Sequence, residues 1–120
     1  MTDYLTVPDT SWIEVGSGGT APAFQNSWVN YDTSYNSCAF RKDANGFVWL
    51  KGLIKSGSIG VSSACFTLPA GYRPQKRELM VNITNTAIGR LDVDVDGKVI
   101  THTGNNAWYS LDNCRFKAYQ

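Results

Sequence analysis

From residue 37 onward the chain alternates between short apolar runs and clusters of turn-forming residues. The runs fall near 37–42, 46–54, 62–67, 77–84, 88–94, 97–102, 106–111 and 113–119. Between them stand Asp43-Ala44-Asn45-Gly46, Ser56-Gly57-Ser58, Pro69-Ala70-Gly71, Asp96-Gly97 and Gly104-Asn105. Runs of strand length at spacings of about 8–12 residues, with no segment of helical period, predict an all-β antiparallel sandwich or barrel of about eight strands. The first 36 residues read differently. Pro8, Gly16, Gly18, Gly19 and Pro22 lie among Ser, Thr and Asn, so residues 1–36 are expected to be mostly irregular, with one short strand at Ser11-Trp12-Ile13-Glu14-Val15.

Two runs carry more detail. In 88–102, Leu91, Val93 and Val95 share one face and Asp92, Asp94 and Asp96 the other, the period-2 pattern of a half-buried strand, with Asp96-Gly97 as the turn. Three carboxylates on one face repel one another, so they are expected in solvent or against cations, with Lys98 or a basic residue across an interface as partner. Asp92 to Gly97 also matches the opening of an EF-hand loop. Position 12 of such a loop needs a bidentate Glu, however, and here it is Thr103, so a hairpin is the better reading than a calcium site. The second run, Gly46-Phe47-Val48-Trp49-Leu50-Lys51-Gly52-Leu53-Ile54, is apolar on both faces, which predicts a central strand covered on both sides, with Gly52 marking a bulge or a close backbone approach. Phe40, Phe66, Leu79, Val81, Ile83, Leu111 and Phe116 complete the expected core.

Composition narrows the chemistry. Ser, Thr, Asn and Gly fill 40 of the 120 positions, which disfavours helices, and a chain of this length builds one domain spanning 1–120. Eleven Lys and Arg against ten Asp and Glu give a net charge of +1, so no dedicated nucleic-acid binder is expected. Cys38, Cys65 and Cys114 lack CxxC spacing and read as buried thiols. His102 is the sole histidine, no nucleophile, phosphate-loop or zinc motif occurs, and only Glu14 and Glu78 supply glutamates, so neither an enzyme nor a metal or other cofactor is expected. With no signal-peptide pattern and no apolar run of about 18 residues, the chain is expected to be made in the host cytoplasm and to reach a membrane or a phage particle by another route.

The recognition motifs are more specific. Trp28-Val29-Asn30-Tyr31, Phe40-Arg41-Lys42-Asp43, Gly46 to Gly52, Phe66-Thr67-Leu68-Pro69-Ala70-Gly71-Tyr72-Arg73-Pro74, Asp96-Gly97-Lys98-Val99 and Trp108-Tyr109-Ser110-Leu111-Asp112-Asn113-Cys114-Arg115-Phe116 together cover about residues 24–116. This series resembles a module of bacteriophage and prophage tail-fibre, receptor-binding and small lysis-region proteins, and is most similar to the Bacillus prophage family that includes YomS and the C-terminal domain of XepA. The resemblance implies a β-sandwich of C2-like shape in a ring-like homo-oligomer, with a pentamer expected, and a role in the lysis region or at the bacterial envelope. The alternative it implies is a tail-fibre-type receptor-binding module that recognises cell-surface carbohydrate.

Three candidate groups follow. Leu68, Pro69, Gly71, Tyr72, Arg73 and Pro74 are expected to form a rigid crossing between sheets, because two prolines fix φ and Gly71 permits a positive φ between them. Trp12, Trp28, Tyr31, Tyr35, Trp108 and Tyr109 are candidate interface or ligand aromatics, with Trp28 and Trp108 also read as pins holding loops over the core. Arg73, Lys76 and Arg77 form a candidate basic edge for an acidic lipid, a teichoic acid or a neighbouring copy's Asp row.

Overall fold

The structure is a computed structural model that describes residues 12–119. Pro8 and the rest of the first eleven residues of the irregular segment expected at the N-terminus lie outside the described residues. The strands are β1 (Ile13–Glu14), β2 (Val29–Asn30), β3 (Ala39–Lys42), β4 (Phe47–Lys51), β5 (Leu53–Lys55), β6 (Ala64–Thr67), β7 (Glu78–Thr84), β8 (Ala87–Val93), β9 (Lys98–Thr103), β10 (Tyr109–Ser110) and β11 (Cys114–Lys117). They form two antiparallel sheets, one ordered β1-β3-β4-β11 and the other β2-β5-β10-β7-β8-β9-β6, and the described residues contain no helix. The fold is an all-β sandwich. It has eleven strands rather than about eight because two-residue strands β1 and β2 precede the eight runs and one of those runs is cut in two.

That cut falls at Gly52. The run 46–54 is not one central strand. It is β4 in the four-stranded sheet followed by β5 in the seven-stranded sheet, so its residues look apolar on both faces because they serve two layers. Gly52 turns the chain at φ +127°, and a Cβ there would lie 2.5 Å from the Cα of Cys38, the close backbone approach that an interior glycine signals. Its N–H donates to Asp112 Oδ1 at 2.8 Å and its carbonyl accepts from Leu111 N at 2.8 Å.

The core lies between the sheets. Phe40, Val48, Leu50 and Phe116 from the smaller sheet meet Ile54, Phe66, Leu91, Val93, Val99 and Tyr109 from the larger, with Leu111 and Trp28 closing the ends. The three cysteines are buried free thiols, and burial pushes Cys65 up to about 12. His102 is half-buried on β9.

Strand β7 corrects the expected core. Leu79, Val81 and Ile83 point away from it and are 58%, 79% and 67% exposed, while Asn82 and Thr84 point inward. Burial selects for hydrogen-bonded polar groups, and Asn82 Nδ2 and Thr84 Oγ1 have partners, whereas Asn82 Oδ1 is buried without one among the described residues. Asn82 Nδ2 donates to the carbonyl of Ser110 at 2.7 Å and to Cys114 Sγ at 3.1 Å; Thr84 Oγ1 donates to the Ala87 carbonyl and accepts from Asn105 N. Polar braces to β10, β11 and the 104–107 loop fix the register, and the apolar row faces out as a result.

The aspartate row of β8 is also resolved. Asp92 is fully buried, not in solvent, and its cations come from this chain: Arg77 Nε and Arg90 Nε lie 2.9 Å from its two oxygens, and Arg77 Nη1 reaches Asp94 at 3.0 Å. Burial pushes the Asp92 carboxyl up, but hydrogen bonds from Arg90 and Arg77 outweigh it and hold the group below the usual carboxylate value. Arg77 and Arg90 thus neutralise Asp92 and Asp94 from within the chain. Among the described residues Lys98 pairs with Asp96, at 3.8 Å. Val95, expected on the buried face, is 45% exposed because the β8–β9 turn has already begun there.

Candidate functional site

The Leu68–Pro74 segment is a brace. It joins β6 at the edge of the larger sheet to β7 near its middle, so it leaves and re-enters one sheet rather than crossing between two. On the way it ties to the other sheet. Tyr72 sets its ring edge-on to Phe40 at 5.1 Å, Lys42 Nζ donates to the Gly71 carbonyl, Pro74 bridges Ala118, and Tyr119 N donates to the Arg73 carbonyl. Leu68 is fully buried, its N–H donates to the Gly97 carbonyl, and its own carbonyl accepts from Arg73 Nε at 2.8 Å. Other motif residues brace backbone in the same way. Asn30 Oδ1 accepts from Cys38 N at 2.7 Å, and Asp43 accepts from Asn45 N, Phe47 N and Trp49 Nε1. The Trp49 bond, then that of Phe47, lowers the Asp43 pKa.

The six candidate aromatics separate by burial. Trp28 and Tyr109 belong to the core, 1% and 0% exposed, with rings edge-to-face at 5.9 Å, and offer no surface to a ligand. Trp28 pins the 56–58 turn, as its loop-holding reading anticipates: Nε1 donates to the Ser58 carbonyl, and a Cβ on Gly57 would fall 2.1 Å from the indole. The Tyr109 hydroxyl donates to the Arg90 carbonyl at 2.8 Å. Trp12 lies over the smaller sheet, with Lys51 Nζ 4.4 Å from its ring centroid.

Tyr31, Tyr35 and Trp108 come together. They line a cleft of about 390 Å³ with Leu53, Ile83, Ser110 and Asp112, on the outer side of the larger sheet where β2, β5, β10 and β7 run side by side. Alternation on β10 produces this, since burying Tyr109 turns Trp108 and Ser110 outward. Tyr31 and Tyr35 pack edge-to-face at 5.5 Å, and Lys55 Nζ sits 5.4 Å over Tyr31. Asp112 Oδ1 accepts from Gly52 N and, at 3.3 Å, from Asn36 Nδ2, which fixes the carboxylate at the cleft wall. The cleft therefore presents flat rings, a hydroxyl, a carboxylate and an apolar floor. Leu53, Ile83, Ser110 and Asp112 were not among the sequence candidates. The signal for Ser110 and Asp112 was their place in Trp108-Tyr109-Ser110-Leu111-Asp112.

The basic edge at 73–77 is largely spent. Arg73 is used on Leu68 and Arg77 on Asp92 and Asp94, leaving Lys76 exposed. Cations gather instead on the outer face of the smaller sheet, where Arg41, Trp49 and Arg115 are paired across three strands. Arg115 lies over Phe47 and Trp49 at 5.2 and 5.4 Å, and Lys117 over Phe47 at 5.2 Å. Strand alternation in Phe47-Val48-Trp49-Leu50-Lys51 and Arg115-Phe116-Lys117 carried that signal.

No family model matches the chain, and no curated protein matches it by sequence. Its fold is similar to that in the crystal structure of the receptor binding protein (gp15) of Listeria phage PSA, with a TM-score of 0.63 at 16% identity. The match covers 82% of this chain and 63% of that one, so the chain spans under two thirds of that protein's length, and at this identity the likeness is one of fold. Among the described residues no helix is long and apolar enough to cross a membrane.

Proposed function

We propose that the chain is a non-enzymatic, receptor-binding module of a phage particle, and that the cleft between Tyr31, Tyr35 and Trp108 takes a bacterial cell-surface carbohydrate. The cleft carries the reading: three aromatic side chains face one solvent-open space beside a hydroxyl and a fixed carboxylate. The fold shared with a phage receptor binding protein supports it. Aromatic faces stack on the C–H face of a sugar, while Ser110 and the unengaged oxygen of Asp112 orient its hydroxyls. A volume near 390 Å³ suits one or two rings of a longer chain. Among the described residues one carboxylate lines the cleft, whereas acid–base cleavage of a glycoside uses two, so binding without cleavage is the matching chemistry.

The experiment is a titration of tryptophan fluorescence with fragments of purified cell-wall polysaccharide. Trp108→Ala and Tyr35→Ala should each weaken binding tenfold or more with an unchanged circular dichroism spectrum. Equal binding by wild type and both variants, or no binding of any fragment, overturns the reading.

The narrower membership suggested by the motifs, the YomS and XepA family with a ring of about five copies at the envelope or in the lysis region, is likewise our proposal and rests on the motif series. Contact with acidic envelope lipid or glycan through Arg73, Lys76 and Arg77 is the weaker part, since two of the three are engaged within the chain. The cation–aromatic face of the smaller sheet suits an anionic polymer better.

A further inference from the structure

Cationic side chains on this chain are held in two ways. Arg77 and Arg90 are held by Asp92 and Asp94, which neutralise them. On the outer face of the smaller sheet the holders are uncharged rings: Lys51 Nζ lies over Trp12, Arg115 over Phe47 and Trp49, and Lys117 over Phe47. Among the described residues Lys51, Arg115 and Lys117 form no ion pair, so they are positioned by cation–π contact and keep their full charge. Asp43, at the hairpin end of the face, is taken by Trp49 Nε1 and the backbone N–H groups of Asn45 and Phe47.

We propose that this face is an anion subsite adjoining the carbohydrate cleft, and that the ligand of the two together is a glycan whose repeats are joined by phosphodiesters, with one phosphate held between Lys51 and Arg115.

The two sites meet at a corner of the sandwich. Here β4 gives way to β5 and β10 to β11, so two stretches of chain pass from sheet to sheet side by side. A hollow of about 380 Å³ lies on the smaller-sheet side, lined by Trp12, Trp49, Lys51, Asn36, Asn113 and Asp112. Asp112 also lines the cleft of Tyr31, Tyr35 and Trp108, and its Oδ1 is fixed by Gly52 N and Asn36 Nδ2. A chain seated in the cleft and leaving past Asp112 therefore enters the hollow. Arg115 pairs with Trp49, two residues from Lys51, which makes the two cations diagonal neighbours about 7–8 Å apart at the backbone, close enough for both long side chains to reach one phosphate. Lys117, opposite Phe47, continues the row. Asp112 at one side and the exposed Glu14, opposite Ala39 on the edge strand, confine the positive zone to that row.

The charge belongs to a link and not to a ring. A uronic acid carries its charge on a sugar and a nucleic acid carries a base at each phosphate, and both gain from a bare aromatic face. Here cations already lie over Trp12, Phe47 and Trp49. A phosphodiester needs only donors, which an ammonium and a guanidinium supply as charge-assisted hydrogen bonds. The pairing of sugar with phosphate rests on the carbohydrate reading of the cleft; the anion subsite alone does not.

Calorimetric titration of the full chain tests this with a cell-wall polysaccharide fragment that contains phosphodiesters and with the same fragment after hydrofluoric acid has cleaved those links. At about 0.05 M salt the wild type should bind the intact form about tenfold tighter than the cleaved form, and the ratio should shrink at about 0.5 M. Lys51→Gln and Arg115→Gln, both on the outer face, should each cut the ratio to about threefold or less with an unchanged circular dichroism spectrum. Equal affinity of the wild type for the two forms, or folded variants that keep the wild-type ratio, overturns the proposal, as does equally tight binding of an oligothymidylate of the same charge. If neither form binds the wild type, the carbohydrate reading falls, and poly(glycerol phosphate), which has no sugar, decides the anion subsite by itself: salt-sensitive binding that Arg115→Gln weakens upholds it, and absence of binding overturns it.

Discussion

Replacing Gly52 by alanine would strike the point where the chain passes from one sheet to the other. Two separable costs arise. The backbone sits at φ +127°, which an L side chain rarely adopts, and holding it there costs about 1–3 kcal/mol. The new Cβ would also lie 2.5 Å from Cys38 Cα, 2.7 Å from Cys38 N and 2.9 Å from the Ser37 carbonyl carbon, all backbone. That backbone cannot easily retreat, because Cys38 N is bonded to Asn30 and Gly52 N to Asp112. Overpacking against fixed atoms adds about 1–3 kcal/mol, giving about 2–6 kcal/mol in all with a midpoint of about 4, a large part of the stability of a small domain. Gly71→Ala supplies the control: its φ is +97° but a Cβ there meets nothing within 4 Å, so only the conformational cost remains, about 1–2 kcal/mol. Urea unfolding followed by fluorescence should place the two variants about 2 kcal/mol apart with equal slopes, and Gly52→Ala should melt about 12–20 °C below wild type. Equal destabilisation by the two substitutions would refute the claim that backbone contact at the sheet switch demands glycine.

Three further outcomes are expected. The Asp92 carboxyl is held below its ordinary value in the folded chain, so its stabilising contribution is complete above about pH 4 and is lost as pH falls through that lower value; Asp92→Asn should be less stable than wild type at pH 7 and show a flatter acid limb in melts from pH 7 to pH 2. Tyr109→Phe leaves the Arg90 carbonyl without its hydroxyl donor and should cost about 1–2 kcal/mol in urea unfolding, with a loss below about 0.3 kcal/mol counting against that bond. Cys38, Cys65 and Cys114 are buried with thiol pKa values raised by that burial, so Ellman's reagent should find no reactive thiol in the native protein and three after denaturation.

Turn chemistry and period-2 alternation were enough to read the sandwich, because hairpins such as 87–103 are local and their turn residues mark themselves. Gly52 was legible as a close approach, but not as a change of sheet, since which layer a strand joins is decided by pairings far away in sequence. The 68–74 segment was legible as a constrained connection from its prolines and glycine, but it was read as a crossing between sheets, whereas β6 and β7 belong to one sheet. Leu79, Val81 and Ile83 were assigned to the wrong side because an apolar row normally marks the core, whereas here the hydrogen bonds of Asn82 and Thr84 set the strand's orientation. The same limit applies to Asp92, whose partner Arg77 stands 15 residues earlier and meets it only through the β7–β8 pairing. Tyr31, Tyr35 and Trp108 were among the candidate surface aromatics, although Trp108 was also read as a pin over the core and is half-buried at the cleft. Their convergence with Ser110 and Asp112 depends on β2, β5 and β10 lying side by side, an adjacency that no local pattern encodes.

The carbohydrate cleft is tested most directly by mapping amide and indole chemical shifts of the labelled protein during titration with a phosphate-free cell-wall polysaccharide fragment. Binding there predicts the largest changes at Tyr31, Tyr35, Trp108, Ser110 and Asp112, with Trp12 and the brace at Leu68–Pro74 unmoved. A spectrum that does not change at saturating fragment, or one whose changes fall on the Trp49 and Arg115 face instead, would contradict it.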